Sequence, residues 1–397
     1  MARETVLEQT LGREICMMKR LGDYIRPVDV RNRDLKVTRL LGVSITKEFM
    51  PSIANIVGTD LSAYKVVTKG QFAYGPVTSR NGDKISVALL DGYDDAIISQ
   101  AYTVFEVVDT NALDPEYLMM WFRRPEFDRY ARFHSHGSAR EVFDWEEMCE
   151  VQVPVPAIEK QREIVAEYNT LATRIETNKK LIATLEQTAQ TLYRHTFVDN
   201  IDPNNLPSGW RMGTVGEFCE VRDGTHDSPK PVEVGNPLVT SAHLLPWHVK
   251  LEETYRISKD DFDKINERSL VEKYDILYSM IGTIGAISFV CDDVIEYAVK
   301  NMAIFKTSSK KEYAFFLLYF LKSDEMGKIL NENMAGSTQS YITLSVLRSI
   351  PIVIPSDQDI CEFSKSVEPI VKSIIFKDRE NQTLTQMQTL LLSKMGA

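Results

Sequence analysis

With 397 residues, the chain is too long for one ordinary domain and predicts two or three. Hydrophobic residues make up 44% of it and charged residues 26%, as in globular proteins with buried cores, and no stretch approaches eighteen uninterrupted apolar residues, which argues against a membrane-spanning helix. The net charge of −10 argues against DNA binding, unless basic residues are concentrated on one face or partner proteins supply positive charge.

The first predicted strands recur in the second half of the chain. A Gly-acid-aromatic step followed by polar loop residues occurs in RLGDYIRPVDVRN, from Arg20, and again in TVGEFCEVRDGTH, from Thr214. A short strand that leads into a turn with glycine is predicted by KGQFAYGPVTSRNGD, from Lys69, and by KYDILYSMIGTIGAI, from Lys273. Two such matches alone are too few to establish an internal repeat.

Four further matches follow in the same order. The strand AYTVFEVV recurs as NMAIFKTS, which places Phe105 opposite Phe305. Helical EYLMMWFRRPEFDRYARF then corresponds to AFFLLYFLKSDEMGKIL, HGSAREVF to AGSTQSYI, and VQVPVPAIEKQREI to IPIVIPSDQDICEF. Six matches in one order predict a duplicated domain.

Each repeat ends in a long predicted helix. The first contains no Pro or Gly from Ile158 to about Val198, and apolar residues recur in it at steps of four and three, as in a coiled coil. Its seam residues are Ile164, Tyr168, Leu171, Ile175, Asn178, Ile182, Leu185, Ala189 and Leu192. The second helix, from about Asp357 to Lys394, has a seam of Phe363, Val367, Ile370, Ile374, Leu384 and Leu391, interrupted by Lys377, Asn381 and Gln388.

A single apolar seam is not satisfied alone in water, so the two helices are expected to pair with each other; packing of each helix on its own domain is the alternative. Antiparallel pairing would put the two domains at opposite ends of a rod. Asn178, at a seam position, would help to fix the register. The Asn-, Asp- and Pro-rich DNIDPNNLPSGW between the halves predicts a linker.

The order of these segments resembles type I restriction-modification specificity subunits over nearly the whole chain. The most specific piece is VPVPAIEKQREIV, from Val153. It is similar to the segment that leads into the conserved helix of that family, where Pro-x-Pro is followed by Gln and then by Ile. The second junction departs from this pattern, because Ile360 stands where Gln161 stands in the first.

The resemblance implies two target recognition domains that read the two halves of a bipartite DNA site, with helices that set the gap between them. It implies double-stranded DNA, two DNA adenine methyltransferase subunits and restriction (translocase) subunits as partners. The expected division is 1–157 for recognition domain 1, 158–199 for spacer helix 1, 200–355 for recognition domain 2 with 200–210 as linker, and 356–397 for spacer helix 2.

Motifs for catalysis are missing, which predicts a non-catalytic subunit. The sequence has no GxxxxGK[ST] loop and no GxG nucleotide loop after a strand, so we expect no cofactor in this chain, with S-adenosylmethionine and ATP/Mg on the partner subunits. Asp114 to Tyr117 approaches a methyltransferase loop, but Asp followed by Pro is also typical of a helix start, which we favour. The five cysteines lie far apart, which favours reduced thiols over disulfides or a metal site.

Basic and hydroxyl-bearing residues in matching loops are the predicted DNA contacts, although the basic stretch around residues 123–140 could equally be a solvated helix face. In the first domain they are Tyr74, Thr78, Ser79, Arg80, Arg129, Arg132, His136, Ser138 and Arg140. In the second they are Arg222, Thr225, His226, Lys230, Ser279, Thr283, Ser337, Thr338 and Gln339. Arg80 has the paired donors that suit guanine, and Gln339 has a donor and an acceptor that together suit adenine.

The expected fold is α+β, with two duplicated domains of twisted, mostly antiparallel sheet plus helices, and two long helices in an antiparallel coiled coil. The expected location is cytoplasmic, since the first twenty residues lack the features of a signal peptide. Two other functions remain open: a self-contained methyltransferase or nuclease with its own recognition domain, and a duplicated protein-binding adaptor.

Overall fold

The computed structural model describes residues 18–53, 58–79, 81–137, 140–199, 201–334 and 341–396. The chain divides into two compact units, and both long helices contribute to each of them. Unit 1 comprises Met1–Arg174 and Thr383–Ala397, and unit 2 comprises Ile175–Gln382. Within the described ranges, no helix is long and apolar enough to cross a membrane.

Unit 1 is built from short strands followed by helices. Its strands are β1 (Met18–Arg20), β2 (Ile25–Val28), β3 (Leu41–Val43), β4 (Phe49–Pro51), β5 (Lys65–Thr68), β6 (Phe72–Tyr74), β7 (Val87–Leu89), β8 (Asp95–Ile98), β9 (Thr103–Val107) and β10 (Gln152–Pro154). Its helices are α1 (Pro115–Phe122), α2 (Pro125–Phe133), α3 (Trp145–Glu150) and the first part of α4 (Ile158–Phe197).

Unit 2 repeats this order with additions. Its strands are β11 (Arg211–Thr214), β12 (Glu220–Asp223), β13 (Asn236–Val239), β14 (Leu244–Leu245), β15 (His248–Val249), β16 (Arg256–Ile257), β17 (Ile276–Ser279), β18 (Ile287–Phe289), β19 (Ala298–Val299), β20 (Met302–Lys306) and β21 (Pro351–Ile354). Its helices are α5 (Val215–Phe218), α6 (Lys259–Ser269), α7 (Lys311–Leu321), α8 (Asp324–Met334), α9 (Leu344–Ser349) and most of α10 (Asp357–Lys394).

The central sheets of the two units have the same strand order, which confirms the predicted duplication. The order is β2-β9-β6-β7 in unit 1 and β12-β20-β17-β18 in unit 2, and every pair in both sheets is antiparallel. Phe72 lies opposite Phe105 in one sheet, and Ile276 lies opposite Phe305 in the other. The α+β fold with mostly antiparallel sheets is therefore confirmed.

Buried aromatic rings hold each sheet against its helices. In unit 1 the rings of Phe72 and Phe105 stack with centroids 4.8 Å apart, and Phe122 of α1 meets the Phe72 ring edge-on at 5.9 Å. In unit 2, α7 is buried along nearly its whole length and presents Phe315 to Phe289 of the sheet at 5.9 Å. Rings of this size account for much of the apolar area that each core buries.

The long helices pack against each other in antiparallel orientation within unit 2. Asn178 of α4 is buried and donates from Nδ2 to Asn381 Oδ1 and Glu380 Oε2 of α10, both at 3.0 Å. Further along α4, Tyr193 and Phe197 contact Phe363, which lies near the start of α10. None of the predicted seam residues is exposed. The predicted pairing of the helices is thus confirmed.

Each long helix also ends on the domain that it does not follow in sequence. The second part of α4 places Ala189, Tyr193 and Phe197 in the core of unit 2. The last turn of α10 places Leu391 against the core of unit 1, and Met395, just after the helix, lies in that core. Helix pairing and packing on a domain therefore occur together, because different stretches of the same helix bury different faces.

The buried side chain of Gln161 joins the start of α4 to the first domain through partly buried backbone groups. Its Oε1 accepts from the amide of Asp114 at 2.8 Å, and its Nε2 donates to the carbonyls of Ala112 at 3.0 Å and Pro156 at 2.8 Å. Ile360, at the matching place in α10, is buried in the apolar core of unit 2 instead. The two junctions thus differ in sequence because one is held by hydrogen bonds and the other by apolar packing.

Replacing Gln161 with Leu is expected to lower the free energy of unfolding by about 2 to 4 kcal/mol, because three partly buried backbone groups lose their partner. The corresponding fall in Tm is roughly 5 to 15 °C, measured by circular dichroism. Gln358→Leu is the matched control, since that side chain is exposed on the first turn of α10. An equal fall in both variants, or no fall in either, would show that Gln161 does not hold the junction.

Candidate nucleic-acid interface

In unit 1, the loop after β6 pairs with the segment after α2. The amide of Thr78 donates to the carbonyl of Glu141 at 3.0 Å, and the Thr78 hydroxyl donates to Ser135 Oγ at 2.9 Å. His136 and Val142 exchange two backbone hydrogen bonds, at 3.0 and 2.9 Å. These contacts bring together the predicted residues Ser79, Arg132, His136 and Arg140. Thr78 itself is buried, so its hydroxyl shapes this loop and is not available to DNA.

Two of the predicted arginines of unit 1, Arg129 and Arg132, are held in local ion pairs. Arg132 pairs with Glu141, and Arg129 donates to Glu126 one turn earlier in α2 at 3.1 Å. His136 Nε2 lies 3.5 Å from a carboxylate oxygen of Glu147. Exposed ion pairs contribute only about 0 to 1 kcal/mol, so a phosphate could replace either carboxylate at little cost.

Tyr74 requires a correction. Its side chain is fully buried, and its ring meets Phe105 at 6.1 Å and Phe143 at 6.5 Å, both edge-on. Successive side chains of a strand point to opposite faces, and Tyr74 points into the core. It is therefore not available to a base, and we remove it from the predicted DNA contacts.

Glycine is required where the chain turns after α2. Gly137 has a φ of +129°, and a Cβ atom there would lie 2.2 Å from the carbonyl oxygen of Arg140.

Five of the predicted DNA contacts lie outside the described residues: Arg80, Ser138, Ser337, Thr338 and Gln339.

In unit 2, the matching loops meet in the same way. Ile281 forms a bridge with Tyr341, as Val77 does with Val142 in unit 1. Gly282 and Gly285 have φ values of +78° and +84°, so the tight turn between β17 and β18 uses conformations that favour glycine. Thr283, at the tip of this turn, is exposed.

Ser279 requires the second correction. Its side chain is fully buried, and its hydroxyl donates to the carbonyl of Ile281 at 2.9 Å. The hydroxyl stabilises the turn and is not available to DNA. Thr225 is also buried, and its hydroxyl accepts from the amide of Asp227 at 3.1 Å, so it shapes the loop that presents His226.

His226 lies between two acceptors at the edge of the central sheet. Its Nδ1 is 2.8 Å from Asn301 Oδ1, and its Nε2 is 2.9 Å from Asp223 Oδ2. These hydrogen bonds, to Asn301 first and Asp223 second, raise the pKa of His226 above its ordinary value. The exposed imidazole therefore stays positively charged to a higher pH than an ordinary histidine.

Three basic residues near His226 were missed by the sequence analysis. A cleft of about 640 Å³ is lined by His226, by Ser228 and by Lys264 and Arg268 of α6, and also by the acidic residues Asp227, Asp261 and Glu267. Lys300 donates from Nζ to Ser228 Oγ at 2.6 Å. The four-residue spacing of the two α6 cations was the only available signal, because the repeat comparison included no segment that matched α6.

The other predicted residues of unit 2 lie at its surface. Arg222 forms a bidentate pair with Glu220, with N–O distances of 2.8 and 2.9 Å, and Lys230 is exposed in the following loop. Together these groups can donate hydrogen bonds and hold positive charge, which is the chemistry of contacts to phosphates and base edges.

The motif at Asp114 is explained by local structure. Asp114 caps α1, since its Oδ1 accepts from the amides of Glu116 at 2.8 Å and Tyr117 at 3.2 Å. The helix-start interpretation is thus supported over a methyltransferase loop. In the part of the chain that the structure describes, no three His, Cys, Asp or Glu side chains are arranged to hold a metal ion.

Comparison with known proteins gives one consistent family. The family described as "Type I restriction modification DNA specificity domain" matches residues 65–187 and 207–386. The type I restriction enzyme MjaIX specificity subunit of Methanocaldococcus jannaschii is 23% identical over 313 residues, which are 73% of this chain and 70% of that protein.

Two further proteins are similar along most of the chain. The type I restriction enzyme HindI specificity subunit of Haemophilus influenzae is 21% identical and covers 86% of this chain and 89% of its own length. The crystal structure of the S subunit of a type I restriction-modification system from M. genitalium superposes with a TM-score of 0.58 and 16% identity, covering 96% of this chain and 95% of that one. This superposition supports the fold.

Proposed function

Since the chain belongs to the type I restriction-modification DNA specificity family, we propose that it is the sequence-reading subunit of such a complex and that each unit reads one half of a bipartite DNA site. The observation that carries this proposal is the pair of central sheets with one strand order, each with two loops that meet after equivalent elements. Two similar surfaces in one chain fit two separate half-sites better than one continuous site.

The surfaces are suited to recognition rather than catalysis. The cations at these loops, Arg132 with Arg140 in unit 1 and His226 with Arg268 in unit 2, would contact phosphates, while hydroxyls such as those of Ser79 and Thr283 would meet base edges. In this proposal the chain transfers no methyl group and cuts no DNA. The two DNA adenine methyltransferase subunits bring S-adenosylmethionine, and the restriction subunits bring ATP and Mg²⁺.

The long helices are the proposed docking surfaces for the methyltransferase subunits. Large apolar side chains are exposed on them: Leu181 and Phe376 in unit 2, and Met387 and Leu390 in unit 1. Exposed apolar side chains of this size on helices fit contacts with another protein. Because the chain carries a net charge of −10, partner subunits would also supply part of the positive charge that holds DNA.

The proposal is tested by methyl transfer and DNA binding with and without the methyltransferase subunits. The chain alone is expected to transfer no labelled methyl group, and the complex is expected to methylate adenines and to bind specific DNA with a marked salt dependence. Methyl transfer by the isolated chain would show a self-contained enzyme. A complex that forms but binds no specific DNA would favour the protein-binding adaptor.

Three arginines of unit 1 are expected to divide between two roles, base reading and phosphate contact. Arg80→Ala should relax the preference for one base pair over the others by about 1 to 3 kcal/mol, because a base contact distinguishes sequences. Arg129→Ala or Arg132→Ala should weaken binding to every sequence, because a phosphate contact does not distinguish sequences. Either change should also lower the slope of log affinity against log salt concentration by about one. Competition binding with single-base variants measures both effects. Equal losses on all sequences for Arg80→Ala would remove it from the residues that read bases.

A further inference from the structure

The hairpin of β14 and β15 in unit 2 contacts both long helices. Trp247, in its turn, is buried and donates from Nε1 to Glu186 Oε1 of α4 at 2.8 Å. Lys322, after α7, donates from Nζ to the same oxygen at 2.9 Å, and its ammonium lies 4.7 Å from the centre of the Trp247 ring. One carboxylate of α4 therefore holds two groups of the recognition domain.

The other contact of the hairpin is with α10. His248 Nδ1 lies 2.7 Å from Asp378 Oδ2, which also accepts from Gln382 Nε2 at 2.9 Å. Both side chains of the His248–Asp378 pair are largely buried. Adjacent residues of one short turn are thus bonded to two different helices.

Hydrogen bonds restrict the orientation of the domain on the helices more strongly than apolar packing does. Burial of aromatic rings is non-directional and tolerates small rotations of a domain on a helix. Hydrogen bonds weaken steeply when their angle changes, so bonds from Trp247 to α4 and from His248 to α10 together restrict rotation about either helix axis. Loss of Glu186 would also leave a buried indole N–H without its acceptor, which further disfavours the present orientation.

The first domain anchors its corresponding hairpin differently. The hairpin of β3 and β4 also follows the first strand of its central sheet, but Lys47 in its turn is held by α1 and α2. Lys47 Nζ donates to the carbonyl of Phe122 and to Asp128 Oδ1, both at 2.6 Å. Contact with both spacer helices at Trp247 and His248 is therefore not simply a consequence of the duplication.

We infer that the β14–β15 hairpin is an orientation clamp, in which Trp247 and His248 are positioning residues that fix the angle at which the second recognition domain meets the helix pair. The inference rests on the proposed function, because this angle would determine which gap between half-sites the protein accepts. A domain free to rotate would engage its half-site at several gap lengths, whereas a clamped domain selects one.

The test compares Glu186→Leu, Glu186→Gln and Gln187→Leu in the complete methyltransferase complex. Methylation rates are measured on DNA with the preferred gap and with one base pair more or fewer. Glu186→Leu is expected to lower the preference for the natural gap about 10-fold, equivalent to about 1.4 kcal/mol, without changing either half-site sequence. Glu186→Gln keeps an acceptor for Trp247 and should retain the preference. Gln187→Leu places the same apolar residue one position along α4, where the side chain is exposed, and should resemble the wild type.

The outcomes separate this inference from the proposed function. A wild-type complex with no bipartite site would contradict the proposed function itself. An unchanged gap preference in Glu186→Leu, or an equal loss of rate at every gap, would overturn the clamp, because the latter indicates only a loss of stability. Should Glu186→Leu fail to fold, Trp247→Phe removes the donor and keeps the ring packing. A wild-type gap preference in that variant would equally overturn the inference.

Discussion

Replacing residues 1–155 with the equivalent domain of a relative is expected to change one half of the methylated sequence and leave the other half unchanged. The physical reason is that each central sheet and its loops have a separate aromatic core, so the loops of unit 2 keep their support when unit 1 is exchanged. Methylome sequencing of cells that express the chimera with the methyltransferase subunits measures both halves at once. Alteration of both halves would contradict independent recognition by the two domains.

The structure adds a requirement for a successful exchange. The core of unit 1 also receives Val165 from α4, and Leu391 and Met395 from the end of α10 pack against it. A donor domain must therefore present a compatible apolar surface to these helix residues, and its loop must present backbone groups to Gln161. A matched control exchanges the same domain in a chain whose helix ends also come from the donor. If the simple exchange is inactive and that control is active, the loss of activity is due to mismatched contacts with the helices.

Lengthening both helices by one heptad is expected to increase the preferred gap by about 3 base pairs, since seven residues add about 10 Å to a helix. A heptad preserves the phase of the seam. The seam from Ile164 to Leu192 spans roughly 42 Å, which predicts a natural gap of roughly 5 to 8 base pairs. The added DNA also turns the second half-site by about a third of a turn, which the domains must follow. Methylome sequencing measures the gap.

The contacts of the helices decide where the heptad should be inserted. The natural choice from the sequence is the middle of each helix, near Asn178 and Lys377. Insertion there would disturb Asn178, which is bonded to Asn381, and the pair of Lys377 with Glu380 at 2.7 Å. Insertion between residues 174 and 175 and between 382 and 383 leaves these bonds intact, because both positions lie at the division between the units.

The outcome of the insertion is decisive when the variant stays active. An active variant that still selects the original gap would show that the helices do not set the spacing. A two-residue insertion at the same positions is the control, because it turns the rest of each helix by about 200°, moves the seam to the opposite face and should abolish activity without defining a new gap.

The sequence predicted the features that depend on periodic patterns. Matched strands placed Phe105 and Phe305 at equivalent positions, and the structure puts both in the central strand pairs of their sheets. The four-and-three spacing predicted the helix pairing, including a polar residue at Asn178. Such patterns are recoverable because burial of one face of a helix or strand imposes its period on the sequence.

The candidate site was less predictable, because side-chain direction and loop contacts depend on the tertiary fold. Tyr74 and Ser279 lie beside the loops in sequence, yet both are buried. Lys264 and Arg268 belong to α6, which the repeat comparison did not identify, and the role of Trp247 depends on a partner, Glu186, distant in sequence. A single sequence shows which residue types are present in a loop, but not which of them face outward.

Methylome sequencing of cells that express this chain together with its methyltransferase partner tests the central claim most directly. The account predicts adenine methylation confined to one bipartite sequence, with two different half-sites and a single gap of roughly 5 to 8 base pairs. Neither protein expressed alone should produce it. Methylation at one continuous sequence, or the same methylation pattern from the partner without this chain, would contradict the account.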